Sequence, residues 1–231
     1  MKSSLAHNLD NQQTILFISN GLFYIFNNNT EQYSSKGKLE ELKTIEGQNT
    51  TAYIDSEHFN LIPKALYDES SIKNYLDLTT TELKGKTPIS NDLNPIDSKI
   101  IWTLDEKIKK TIIVQSPGVV FRHLVELFIG EPITQHHLPE IKIRSAENNV
   151  YILCYINGKL QLSNRFEITS DDDLLYYTLL CTEHTKLDRE KALLNIKGIN
   201  NTSLNEKLAN FFLKENISFE NNTLNFQSYL G

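Results

Sequence analysis

The chain has 231 residues, 39% hydrophobic and 23% charged, with 29 acids against 23 bases and a formal charge of −6. Two cysteines cannot build a disulfide scaffold, and the apolar content is too high for a disordered polyelectrolyte. The acidic balance speaks against a dedicated nucleic-acid binder, because neutralising phosphates takes a surplus of Lys and Arg.

No apolar run approaches the roughly 20 residues of a spanning helix, so no membrane insertion is expected. Residues 1–13 read as an N-terminal tail without the apolar core of a signal peptide, which points to the cytoplasm. Thr14–Ser19 and Leu22–Phe26 then flank Asn20-Gly21. Two β-prone runs around Asn-Gly predict a hairpin, because a type I′ turn needs positive φ at both central residues. Thr51–Ile54 and His58–Leu61 read as strands. Pro63 is expected to open a short helix to Tyr67, and Ser70/Ser71 to cap another through Leu76. Thr79–Ser98, with Pro88, Pro95 and Gly85, reads as a loop holding one short strand at most.

Lys99–Thr103 is expected to be a strand, Leu104–Lys110 a short helix and Thr111–Gln115 a further strand. Ser116-Pro117 supplies the cap and first residue for a helix through Phe128. Glu131–Pro139, broken by two prolines, is the expected boundary, giving lobes 14–138 and 139–231. In the second half Ile141–Ser145 and Val150–Ile156 read as strands, and Asn157-Gly158 turns the chain back along Lys159–Ile168. Ser170 caps a helix to Lys186, with Asp171–Asp173 at its electropositive start. Ala192–Ile199 reads as a strand buried on both faces, Ser203 as the cap of a helix to Asn216, and Ile217–Tyr229 as an edge strand or hairpin.

Laying Asn20-Gly21 over Asn157-Gly158 suggests a duplication in which each lobe starts on the same hairpin. The hairpin, His58–Tyr67 (HFNLIPKALY), Tyr75-Leu76, Asn164-Arg165-Phe166 and Asp173–Tyr177 (DLLYY) together resemble an uncharacterised Bacteroidota family. The resemblance spans nearly the whole chain. It implies an α/β, two-lobed actin-like ATPase fold made of duplicated ribonuclease H-like units with mixed sheets. It implies no activity.

In such a fold a turn opening each lobe cradles phosphates, and an aspartate there holds Mg²⁺ through water. Neither Asn-Gly turn holds a carboxylate. The glycines stand at 21, 37, 47, 85, 118, 130, 158, 198 and 231, never closer than ten residues, so no Gly-rich phosphate loop can form from them. Ribonuclease H-type two-metal chemistry needs acids on the first strand, and neither Thr14–Ser19 nor Val150–Ile156 has one.

His123 and Glu126, with His136 and His137 beyond, are metal-ligating types without a second ligand pair; they read as a solvated helix face and a polar loop. Asp171–Asp173 is explained by the helix start, and Cys181 with His184 by a structural helix pair. Cys154 and Cys181 read as small buried hydrophobes. Trp102, Tyr176 and Tyr177 read as core or lobe-interface residues, and Lys107, Lys109 and Lys110 as a solvated basic face. No catalytic, cofactor-binding or metal residue is therefore assigned, and no cofactor. The expected role is a scaffold or interaction protein with an unknown protein partner; the alternative is a nucleotide-binding ATPase or switch using non-standard contacts.

Overall fold

In a computed structural model, residues 13–27, 34–45, 49–78, 80, 82–199 and 201–220 are described. They fall into two compact units that divide between Glu126 and Leu127.

The first unit opens on β1 (Gln13–Ser19) and β2 (Leu22–Asn27), paired antiparallel as expected. Asn20 and Gly21 take φ of 49° and 75°, the two positive values the tight turn requires. β3 (Ser35–Lys38) adds to β2, and the chain then crosses to β4 (Asn49–Ile54), parallel to β1. An insert follows: β5 (Phe59–Pro63), a 3-10 turn at Lys64–Leu66, α1 (Ile72–Asp77), β6 (Lys86–Leu93) and β7 (Ser98–Asp105). Its three strands make an antiparallel sheet ordered β5-β7-β6. α2 (Glu106–Gln115) leads to β8 (Val120–His123), parallel to β4, and then to α3 (Val125–Gly130). The main sheet is ordered β3-β2-β1-β4-β8. Every residue of Thr14–Ser19 is buried, as befits a central strand covered on both faces.

Three expectations fail in this unit. Glu106–Gln115 is one helix, with no strand at Thr111–Gln115. Asp105 caps it, accepting from the Lys107 and Ile108 amides at 2.7 and 3.2 Å, and that start overrides the β-branched run. Ser116-Pro117 opens no helix; Val120–His123 is a strand because β4 offers it a parallel partner. Residues 86–93 form a full eight-residue strand where a loop with at most one short strand was expected. Pro88 is tolerated there because β6 lies at the sheet edge, where a missing N–H costs little. The turn into α1 is capped by Asp68, which accepts from the Ser70 amide, while Ser71 makes no capping bond.

The second unit has β9 (Glu140–Ala146), β10 (Asn149–Ile156) and β11 (Lys159–Glu167) as an antiparallel meander. α4 (Asp171–Thr185) leads to β12 (Leu193–Lys197), parallel to β9, and α5 (Thr202–Leu208) to β13 (Ile217–Glu220), parallel to β12. The order is β11-β10-β9-β12-β13. Ser170 and Asp173 form a reciprocal capping box at the start of α4. Ile141, Ile143, Ile152, Leu194 and Ile196 form one core with Leu174, Cys181, Leu204 and Leu208.

Asn201, not Ser203, caps α5, which ends at Leu208 instead of Asn216. β12 buries Leu194 and Ile196 but leaves Leu193, Asn195 and Lys197 only partly covered, so it is not buried on both faces. β13 supplies the expected edge strand; the rest of the expected segment, residues 221–229, lies outside the described residues.

Both main sheets follow one scheme: three antiparallel strands, a crossover, then two parallel strands. The equivalence it defines differs from the one suggested by the Asn-Gly echo. The turn matching Asn20-Gly21 is Glu147-Asn148, between β9 and β10, whereas Asn157-Gly158 joins the second and third strands. The first strand of the second unit is accordingly β9, and it does carry an acid, Glu140.

Candidate functional site

In the first unit the β1–β2 turn lies beside the end of β4. Ser19 is buried, and its hydroxyl donates to Asp55 Oδ2 at 2.6 Å. The Asp55 amide in turn donates to the Ile18 carbonyl at 2.8 Å, and the Leu39 amide to the Gly21 carbonyl at 2.8 Å. The turn is therefore bounded on two sides, with a carboxylate at its edge. In the second unit the equivalent turn places Glu147 at φ 55°. After β12, in the place that Asp55 holds after β4, stands Gly198 at φ 81°. A Cβ there would lie 3.0 Å from Ser145 Cβ, so the backbone passes close against β9.

The second unit also holds a buried ionic layer. Arg144 grips both Glu131 oxygens through Nε and Nη2, and its Nη1 donates to the Asn195 carbonyl at 2.8 Å. Lys142 Nζ donates to the carbonyls of Glu131 and Pro132 at 2.9 and 3.0 Å, and sits 5.1 Å from the Tyr155 ring centre. Glu140 accepts from the Thr134 amide and hydroxyl at 3.0 and 2.9 Å. Lys197 bridges Glu220 at 3.1 Å and Glu131 at 3.7 Å. Three carboxylates thus face three cations, which is how charges persist in an interior. Burial pushes the Lys142 amine below its ordinary pKa. Glu220 is held below its usual value because the bonds from Asn195 and Lys197 outweigh the opposite pull of burial.

The residues weighed from sequence are mostly committed elsewhere. His123 is fully buried: Nε2–H donates to the Ser56 carbonyl at 3.0 Å and Nδ1 accepts from the Val125 amide at 3.1 Å, roles assigned from those partners. Neither nitrogen retains a lone pair for a metal. Glu126 accepts from the His123 amide at 2.9 Å and from Arg122 at 2.8 Å, and burial lifts its pKa. Arg122, 40% exposed against 6% for Glu126, is shifted up instead: Glu126 offsets its smaller burial cost. The deeper-buried carboxylate governs how this pair responds to pH.

His136 and His137 are exposed, and the His136 ring lies against Gly158. Among the described residues no group of three or more His, Cys, Asp or Glu side chains is arranged to hold a metal ion. Asp173 belongs to the capping box, Asp171 accepts from Asn201, and Asp172 from Lys207. Cys154 and Cys181 are free, buried thiols, both pushed up to about 12 by burial, and His184 is exposed. Trp102 is a core residue donating to Asn91, while Tyr177 stacks on Phe166 and Tyr176 stays 60% exposed. Sequence reasoning missed Asp55, Glu147 and the whole ionic layer. The alternation Glu140-Ile141-Lys142-Ile143-Arg144 was the available signal, but it also fits a strand with one solvated face.

The family described as "Protein of unknown function (DUF3822)" matches residues 10–214. The chain belongs to this family. No functionally curated protein matches it. A crystal structure from Bacteroides thetaiotaomicron, of a protein with actin-like ATPase fold and unknown function, superposes with TM-score 0.84 at 17% identity and covers 96% of each chain. A chain of the PilM–PilN type IV pilus biogenesis complex superposes with TM-score 0.56 at 9% identity, covering 94% of this chain and 89% of that one. The fold is the actin-like ATPase fold, with its duplicated units. Among the described residues, no helix is long and apolar enough to cross a membrane.

Proposed function

We propose that this chain is a non-enzymatic interaction or scaffold protein of the cytoplasm, on an actin-like fold that holds a protein partner in place of a nucleotide. Its lobes in this reading are residues 14–138 and 139–231, after a tail of residues 1–13. The observation that carries it is the chemistry of the two equivalent turns. Each is a tight two-residue connection without a glycine pair, and a phosphate cradle needs several successive amides aimed at one anion. The Ser19 hydroxyl donates to Asp55, so the first turn directs this hydroxyl toward a carboxylate of the chain and not toward a ligand anion. These residues do not fit a triphosphate. The likeness to a chain of a complex named for two proteins, PilM and PilN, adds support from fold alone. Purification at native expression level, with cross-linking, is expected to return one stoichiometric protein partner; none at all would overturn the reading.

A second reading, nucleotide binding by non-standard contacts, is favoured by Asp55 and Glu147, since a carboxylate at each turn suits a hydrated Mg²⁺. Crystals soaked in Mg-adenine nucleotide would decide for it by density for phosphates beside Ser19.

A further inference from the structure

The end of α4 builds a cleft. Lys186 takes φ 55°, its amide donates to the Glu183 carbonyl at 3.1 Å, and the Leu187 amide donates to the Thr182 carbonyl at 3.0 Å. This pair of bonds is a Schellman motif, which folds the residue after the left-handed one back over the last helical turn. Leu187, 6% exposed, is thereby brought to the same cleft as Leu179. The cleft measures ≈ 570 Å³, within the range of small-molecule sites, and is lined by Leu179, Thr182, Glu183, Lys186, Leu187 and Arg189.

Its floor is apolar, since the hydroxyl there, Thr182 Oγ1, donates to the Leu179 carbonyl at 2.7 Å. Its rim is charged and unspent. Glu183, Lys186 and Arg189 are exposed, and their side chains make no ion pair or hydrogen bond among the described residues. Other charges of this unit are matched: Asp188 pairs with Lys191 at 2.9 Å, Asp172 with Lys207 at 2.6 Å, and Glu220 with Lys197 at 3.1 Å.

Two cations and one carboxylate above an aliphatic floor define a ligand by complement. A plain carboxylic acid would set its charge beside Glu183, and a plain amine would leave Lys186 and Arg189 without an anion. A zwitterion with an aliphatic side chain answers all three charges and the floor. We propose that this cleft binds a free aliphatic α-amino acid, with its carboxylate on Arg189 and Lys186, its ammonium on Glu183 and its side chain over Leu179 and Leu187. Arg189 can grip a carboxylate with two parallel hydrogen bonds, while Lys186 acts as a point charge. The cleft shares no residue with either of the two equivalent turns, and the proposal does not depend on the partner-holding reading.

The test titrates the isotope-labelled full-length chain with L-leucine, L-isoleucine and L-valine, and follows backbone amide shifts by NMR. Saturable shifts centred on residues 179–189 are expected with at least one of the three. N-acetyl-leucine lacks the ammonium and mimics a peptide C-terminus; leucinamide lacks the carboxylate and mimics an N-terminus. Each should bind about tenfold or more weaker than leucine, as should leucine itself to Arg189→Ala and to Glu183→Gln. Both variants change exposed side chains only, and an unaltered melting curve confirms that they fold. No saturable shift with any of the three amino acids at millimolar concentration overturns the proposal, as do shifts centred elsewhere or affinities indifferent to both variants. N-acetyl-leucine or leucinamide binding as tightly as leucine also overturns it, in favour of a peptide terminus.

Discussion

β1 and β9 hold the same place in two sheets of the same order, and both are buried, yet their chemistry is opposite. β1 presents Ile15, Leu16, Phe17 and Ile18, at most 3% exposed, to cores that need no polar partner. β9 buries Glu140, Lys142 and Arg144 at 0–1% exposure on the face opposite Ile141 and Ile143. The contrast teaches that strand order fixes where a strand lies and leaves open what covers it. In the first unit apolar contact suffices. In the second, one face is dry and the other is a neutralised layer that also ties down Glu131–Thr134.

The comparison breaks most severely at Arg144. Arg144→Met leaves the buried Glu131 carboxylate with only the more distant Lys197, at 3.7 Å, and unfolding in urea should show a loss of about 3–5 kcal/mol. Replacing both partners, Glu131→Leu with Arg144→Met, should recover most of that loss. A double variant as unstable as the single one would show that the layer does more than cancel its own charges. In β1, Leu16→Ala removes buried volume without stranding a charge and should cost about 2–5 kcal/mol, with no dependence on pH or salt.

Lys142 gives the layer a pH signature that β1 lacks. Burial lowers its folded pKa, so between that value and the 10.5 of the unfolded chain the unfolded state binds more protons. Lys142 should therefore contribute a rise in stability with pH through that window, opposed above about 9 by the fall that the raised Cys154 and Cys181 thiols contribute, and Lys142→Met should remove the rising part. Ser170→Ala, which takes away half of a capping box at α4, should cost about 1 kcal/mol and leave the layer intact. Tyr155→Phe should be the mildest change, neutral or slightly stabilising, because the buried hydroxyl has no hydrogen-bond partner among the described residues.

What was legible in the sequence was local. Asn20-Gly21 specifies its hairpin through backbone sterics, and Ser170 with Asp173 specifies the start of α4 through three residues. α2 was misread because Thr111–Val114 is a β-branched run, while its cap, Asp105, hides at the end of a strand. β8 depends on parallel pairing with β4, which no short window contains. The second turn was misplaced because Asn157-Gly158 carries the stronger turn signal, and only strand order shows that Glu147-Asn148 is the equivalent. The ionic layer escaped for a different reason. Glu131 and Arg144 find each other only after folding, and an alternating strand carries no mark of what covers its polar face.

Isothermal titration calorimetry of the full-length chain with Mg-ATP tests the central claim most directly, namely that turns built around Ser19-Asn20-Gly21 and Glu147-Asn148 hold no nucleotide. The account predicts no heat of binding at millimolar nucleotide. Saturable one-to-one binding that is lost in Asp55→Asn or Glu147→Gln would contradict it.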